Sequence, residues 1–223
     1  MDRVFLIAGA SSGIGAATAR LAAEAGYRLV LGARSEDKLT ELTDELGGIA
    51  VRCDVTHYPD LEAMVERART TFGRIDVVFA NAGVGHPRGF EAGDPEAAKA
   101  MVLTNVYGVY ATIRATAAAL RATKGHLVIT SSIAGRRALK GSLYSATKFA
   151  VTGMAEAARQ DFNGTGVRTT LISPGMVETD GFSHDLEDTL TAQDIARTVM
   201  FAVAQPPHMD INEILIRPTA QDS

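Results

Sequence analysis

The run SLYSATKFAV at 142–151 sets Tyr144 and Lys148 four positions apart. That spacing places a phenol and an ammonium on one helix face. A free phenol titrates near about 10, too high for easy proton exchange at neutral pH. A positive charge about 4 Å away, at an effective dielectric near ~20, is worth on the order of 4 kcal/mol, or about three pKa units. The spacing therefore predicts that Lys148 draws the Tyr144 hydroxyl down toward neutrality and makes it an acid–base group. An isolated Tyr-x-x-x-Lys is more often a packed tyrosine beside a solvated lysine, so the surrounding elements must decide.

Those elements alternate. Apolar, β-branched runs recur at 4–10, 28–33, 48–53, 75–81, 126–132, 167–173 and 212–218. Between them, helical spacing covers 14–25, 36–46, 59–72, 95–123, 143–163 and 191–204. In the first helix Ile14, Ala17, Leu21 and Ala25 form one stripe. Pro59 suits an early helical position, and Asp94 before Pro95 suits an N-cap followed by the first helical residue. Near-continuous apolar strands joined by helices predict a doubly wound α/β fold. Its seven-stranded parallel sheet would carry helices on both faces, as a single domain over 1–223. The stretch 95–123 is too long for one ordinary helix, and Asn105 and Gly108 sit midway, so a bend is expected there.

The first strand runs into AGASSGIG at 8–15. Gly9, Gly13 and Gly15 let a backbone approach a ligand closely, and the next helix offers free N–H groups to an anion such as a pyrophosphate. NAD-selective folds place an acidic residue at the end of the second strand to hold a ribose hydroxyl. Here Ala33 and Arg34 stand in that place. An arginine there can fork onto a 2′-phosphate, which favours NADP(H) by roughly 10- to 150-fold, about 1.5–3 kcal/mol. Asp54, at the end of the third strand, either accepts from an adenine amino group or serves as a turn residue. Ligands in such folds bind beyond the carboxyl ends of the strands. Asn81-Ala82-Gly83, Ser131-Ser132 and Ser173-Pro174-Gly175 all fall there.

Composition removes other classes. The net charge is −4, against a nucleic-acid-binding role. No apolar run approaches the roughly 20 residues of a membrane span, so no membrane partner is expected. MDRVFLIAGA reads as a strand rather than a secretory signal, and a cytoplasmic location is the default. Cys53 is the one cysteine and is expected to be a small buried hydrophobe. His57, His86, His126, His184 and His208 lack metal-ligand spacing, so no metal is expected.

In this order and spacing, the motifs resemble the short-chain dehydrogenase/reductase family over nearly the whole chain. They are the glycine turn, Asn81-Ala82-Gly83, Asn105 in TNVYG, Ser132 in SSIAG, Tyr144 and Lys148 in YSATK, and Pro174-Gly175 in SPGMVET. The resemblance implies hydride transfer between an NADP(H) nicotinamide and a small carbonyl or secondary alcohol. Tyr144 would be general acid in reduction and base in oxidation, with Ser132 holding the substrate oxygen. Lys148 would tune the tyrosine and bind the nicotinamide ribose, and Asn105, through the bend, would hold a water relaying protons to it. Cofactor contacts would come from Gly9, Ser11, Ser12, Gly13, Ile14, Gly15, Arg34, Asp54, Val55, Asn81, Ala82, Gly83, Pro174, Gly175, Val177 and Thr179, besides Tyr144 and Lys148.

Some positions depart from the family pattern. Ala8 and Ala80 stand where threonine and asparagine are usual, and Ser12 stands where NADP-preferring members carry a basic residue in the turn. The Ser132–Tyr144 interval is one shorter than in many members, which leaves Ser131 as an alternative; the SxAG pattern favours Ser132. The lid over the substrate, DGFSHDLEDTL at 180–190, is short and polar and predicts an open site. The tail QPPHMDINEILIRPTAQ at 205–221 resembles that of members oxidising serine, allo-threonine or other 3-hydroxy acids. Arg136, Arg137 and Lys140 either steer a carboxylate or lie on a solvated or subunit-facing loop. A 3-oxoacyl-carrier-protein reductase, a broad carbonyl reductase and a non-catalytic NADP-binding sensor are the alternatives. The family's habit implies a homodimer or homotetramer, built through the helices at 95–123 and 143–163.

Overall fold

The computed structural model describes residues 2–85, 87–178 and 188–221. The chain begins with β1 (Val4–Ala8), α1 (Gly13–Glu24), β2 (Arg28–Ala33), α2 (Glu36–Leu46), β3 (Ile49–Arg52), α3 (Tyr58–Phe72) and β4 (Val77–Ala80). It continues with α4 (Pro95–Val102), α5 (Gly108–Thr123), β5 (His126–Thr130), α6 (Leu143–Asp161) and β6 (Arg168–Pro174). A short β7 (Val177–Glu178) and β8 (Leu190–Thr191) precede α7 (Ala192–Val203) and β9 (Glu213–Ile216). Seven strands form one parallel sheet in the order β3-β2-β1-β4-β5-β6-β9. The order reverses direction between β1 and β4, which opens a crevice at their carboxyl ends. The β7–β8 pair is an addition that the sequence did not signal.

Alternating residues of each strand feed two cores. Val4, Leu6 and Ala8 of β1 pack with Val78, Leu127, Met64, Val109 and Val151 on one face. Phe5 and Ile7 pack with Leu29, Phe79, Leu39, Ile195 and Val199 on the other. Burial on both faces is why the strands read as unbroken apolar runs. The stripe expected on α1 holds in part: Ala17 is buried and Ile14 packs on the second core, but Ala25 is exposed past the helix end, and Ala16, Ala19 and Ala22 supply the rest of the buried face. A helix this rich in alanine has little contrast from which to read its phase.

The long stretch at 95–123 is three pieces. Asp94 caps α4 by accepting from the N–H of Glu96 at 3.3 Å and of Ala97 at 3.2 Å, with Pro95 following as expected. Residues Leu103–Tyr107 then form a π-helical segment, with Asn105 buried inside it. The expected bend is therefore an inserted wide turn, a device common at functional sites. Among the described residues no helix is long and apolar enough to cross a membrane.

The amino edge of the sheet is pinned by buried polar groups. The Asp76 carboxylate accepts from Val4 N at 2.8 Å and holds the Arg74 guanidinium. Next to it, His126 Nε2 lies 2.7 Å from Thr170 Oγ1, and that hydroxyl donates to Ile211 O at 2.6 Å. The hydroxyl has one hydrogen, so it must accept from Nε2–H, which fixes the tautomer. Burial, with the nearby Arg168 charge, pushes the His126 pKa from 6.5 down to about 3. The unfolded chain then binds a proton below pH 6.5 that the folded chain refuses, and stability falls with pH through that window. Taking urea unfolding from pH 7 to about pH 5 should cost about 2 kcal/mol from this group. His126→Gln keeps an N–H for Thr170 without titrating, and its pH dependence should be flatter by that amount.

Candidate active site

A cavity of about 650 Å³ lies along the carboxyl ends of the central strands. The β1–α1 turn forms one wall. Gly9 has φ +89°, and a Cβ there would sit 2.6 Å from Ala82 N. A Cβ on Gly15 would strike Gly9 O and come within 2.9 Å of Asn81 Nδ2. The turn is thus packed directly on the tail of β4, with no room for side chains. Ser12 caps α1 through its backbone only, and the first turn carries no acidic side chain, so the positive helix end faces the cavity uncompensated. Asn81 braces this turn: Nδ2 donates to Gly9 O at 2.9 Å and Oδ1 accepts from Thr130 Oγ1 at 2.9 Å.

At one end of the cavity Arg34 and Lys38 project from the start of α2, facing Asp54 and Val55. Asp54 Oδ1 accepts from the Thr56 hydroxyl at 2.7 Å and the Thr56 N–H at 2.9 Å, which is the turn role left open by the sequence. Burial raises the Asp54 pKa, but the two Thr56 bonds and the Arg34 charge outweigh it, and the carboxyl titrates below its usual range. Cys53 is 2% exposed, and burial together with the Asp60 and Asp54 charges pushes its thiol to about 12, so it is an inert wall.

At the other end, Ser142 caps α6 by accepting from Ser145 N at 3.1 Å, which starts the helix just before Tyr144. Lys148 follows one turn later and is 4% exposed. Its Nζ donates to Thr130 O at 3.0 Å and lies 5.5 Å from the centre of the Tyr144 ring. Tyr144 and Ser132 line the same cavity, and Ser132 acts to lower the pKa of the tyrosine hydroxyl. Ser132 Oγ also accepts from Ala134 N at 3.1 Å and reaches Pro174 O at 3.4 Å. Ser131 turns away: its Oγ donates to Lys148 O and meets Thr152 Oγ1, each at 3.3 Å.

The electrostatic expectation for the tyrosine is corrected here. Burial raises the Tyr144 pKa above 10, and only the Ser132 side chain works against it. Burial also lowers Lys148 to about 8. The ammonium points to Thr130 O and contacts the ring rather than the hydroxyl, so desolvation outweighs its field on the phenol.

Asn105 does not line the cavity. Its Oδ1 accepts from Val84 N and its Nδ2 donates to Val84 O, both at 2.9 Å, and Nδ2 also reaches Thr147 Oγ1 at 3.2 Å. The side chain holds the β4 tail, which leaves the second lone pair of Oδ1 and the backbone of the π-helical segment as the groups open to a water. Gly15 lies beneath the turn. Gly9, Ser11, Ser12, Gly13, Ile14, Arg34, Asp54, Val55, Asn81, Ala82, Gly83, Ser132, Tyr144, Lys148, Pro174, Gly175 and Val177 line the one cavity. Thr179, His86, His184 and the 180–187 part of the expected lid lie outside the described residues. Arg136, Arg137 and Lys140 do not line the cavity, and Arg136 is paired with Glu213.

Sequence reasoning missed Lys38, Arg88 and Gln221. Lys38 stands in the first turn of α2, four residues after Arg34, a signal that was available. Gln221 Oε1 accepts from Met176 N at 2.9 Å and fixes the loop after β6 from the far end of the chain, which no local pattern could announce.

A family model described as short chain dehydrogenase matches residues 3–189. An uncharacterized oxidoreductase of Staphylococcus saprophyticus is 37% identical over 229 residues, covering 97% of each chain. The alcohol dehydrogenase of the archaeon Thermococcus sibiricus, solved complexed with 5-hydroxy-NADP, superposes with a TM-score of 0.91 at 30% identity over 100% of this chain and 99% of that one. The closed form of a serine dehydrogenase complexed with NADP+ superposes with a TM-score of 0.93 at 27% identity, over 99% and 96% of the two chains. With its glycine turn, its Ser–Tyr–Lys cluster and these likenesses, the chain belongs to the short chain dehydrogenase family.

Proposed function

We propose that this chain is an NADP(H)-dependent oxidoreductase that interconverts a small secondary alcohol, of the 3-hydroxy acid class, and its carbonyl partner. The observation that carries the reading is the meeting of Ser132, Tyr144 and the buried Lys148 in one cleft with an open helix N-terminus. The cavity fits the cofactor. A pyrophosphate matches a glycine turn too tight for side chains, and Asp54 and Val55 flank the place for an adenine. Arg34 and Lys38 match a 2′-phosphate, while Ala33 leaves no carboxylate to hold a free 2′-hydroxyl. Two structurally similar proteins carry cofactors of the NADP type.

When bound, the nicotinamide supplies or accepts the hydride. The chain's own groups handle the proton and the geometry. Tyr144, kept protonated at neutral pH by burial, donates to the carbonyl oxygen in reduction and takes the proton back in oxidation. Ser132 donates to the same oxygen and stabilises its developing charge. Lys148 spends one of its three N–H donors on Thr130 O and directs the others to ribose hydroxyls. Asn105 acts as a positioning residue that holds Val84 and the β4 tail against the cavity. The serine dehydrogenase likeness and the 205–221 tail support the 3-hydroxy acid class. Exposed Leu103, Tyr107, Tyr110 and Phe149 on the outer helices support a homo-oligomer.

Tyr144→Phe should lower kcat about 10²- to 10⁴-fold while NADPH still binds, measured by absorbance at 340 nm and by NADPH fluorescence. Intact turnover in that variant would sink the tyrosine's role.

The reductive rate should hold between pH 6.5 and 7.5 and fall above about 8, as Lys148 loses its charge. A profile flat to pH 10 would remove that charge from the mechanism.

Arg34→Ala should lower kcat/KM for NADPH by roughly 10- to 100-fold and leave NADH turnover nearly unchanged. Lys38→Ala should act in the same direction, more weakly. An equal loss with both cofactors would reject the 2′-phosphate assignment.

A further inference from the structure

The cavity carries more positive charge than the cofactor reading uses. Four cationic side chains line it, Arg34, Lys38, Arg88 and Lys148, against Asp54 as the one carboxylate among the described residues. Arg34 and Lys38 stand at the 2′-phosphate end. Lys148 is buried against Thr130 O. Arg88 remains. It is exposed, it belongs to the loop that follows the β4 tail, and no described residue pairs with it.

Its place is fixed through its neighbour. Gly89 N donates to Gly141 O at 2.8 Å. Gly141 has φ +63°, and a Cβ there would lie 2.9 Å from Gly89 N, so the two loops meet backbone to backbone. Gly141 immediately precedes Ser142, the cap of the helix that carries Tyr144. The stitch therefore ties the loop of Arg88 to the residue before Ser142, and Arg88 lines the same cavity as Ser142 and Tyr144.

We propose that Arg88 is the specificity residue for the acid group: its guanidinium binds the carboxylate of the substrate and sets which substrate oxygen meets Tyr144. A guanidinium presents a planar fork that matches a carboxylate with two parallel hydrogen bonds. Among the described residues the lining offers this charge no acidic partner, and a substrate carboxylate can take that place. Arg136, Arg137 and Lys140 do not line the cavity, so they cannot take this role by contact.

The proposal rests on the oxidoreductase reading, and two measurements separate their failures. The first compares kcat/KM for 3-hydroxybutyrate with that for its methyl ester, in the chain as it stands and in Arg88→Gln. The acid-to-ester ratio should fall at least tenfold in Arg88→Gln and recover in part in Arg88→Lys. A ratio unchanged within threefold, with or without a loss of overall rate, overturns the proposal. The second needs no turnover: malonate is titrated into the NADPH-loaded chain and followed by NADPH fluorescence. Malonate should bind, and its Kd should rise at least tenfold in Arg88→Gln. If neither substrate turns over but malonate binds through Arg88, the proposal stands and the reaction class is wrong. Malonate binding that ignores the substitution, or no malonate binding at all, overturns it.

Discussion

A single run of hydrogen bonds ties the two ends of the cleft together. Gly9 O, in the phosphate turn, accepts from Asn81, and Asn81 accepts from the Thr130 hydroxyl. The Thr130 carbonyl in turn accepts from the Lys148 ammonium, which lies against the Tyr144 ring. The run crosses β1, β4 and β5 at their carboxyl ends, where it adds side-chain links to the last backbone bonds of the sheet. A shift of the glycine turn is felt at the tyrosine through three shared side chains rather than through loops. This is how a loop-built site acquires the stiffness that hydride transfer demands, since an error of about 1 Å can cost about 10²-fold in rate.

Burial sets the terms of that site. Lys148 and Tyr144 are both destabilised in their charged forms by removal from water, and both pKa values move accordingly, the lysine down to about 8 and the tyrosine up. A lysine so placed is a poor way to stabilise a fold, because a buried charge costs more than a surface one. Its retention in the interior makes sense only through what it holds. The same reasoning separates His126, also buried and also shifted. His126 sits at the amino edge, bonded within a strand-to-strand network that touches no cavity, and it serves the sheet alone.

The legible parts of this chain were those where one requirement dominated. Strands buried on both faces could be read because every position had to be apolar. YSATK could be read because the residues of a proton-transfer pair must share one helix face. The interruption at Asn105 was visible as a polar residue and a glycine inside a helix too long to be whole, although its π-helical form was not. What stayed hidden came from balance or from distance. The phase of α1 was legible only in part, at Ile14 and Ala17, because alanine fills both its faces. The direction of the Tyr144 shift failed because spacing reveals a neighbouring charge but not the water lost around it. Arg88 and Gln221 reach the cavity through Gly141 and Met176, contacts that span about half a hundred residues of chain or nearly as many.

Charge distribution joins these levels. The chain as a whole is acidic, with a net charge of −4, yet the described lining of its cleft carries four cations and one carboxylate. An anion near the molecule is repelled on average and attracted at one place. A cleft with low-dielectric walls focuses such a field, so the contrast raises the local concentration of anions at the site while the rest of the surface discourages other contacts. Arg34 and Lys38 stand at one end, and Lys148 stands beside Tyr144 at the other, in a lining that also includes Arg88 and Ser132. The field is therefore strongest inside the cleft, where Ser132 and Tyr144 offer their hydroxyls to a bound oxygen.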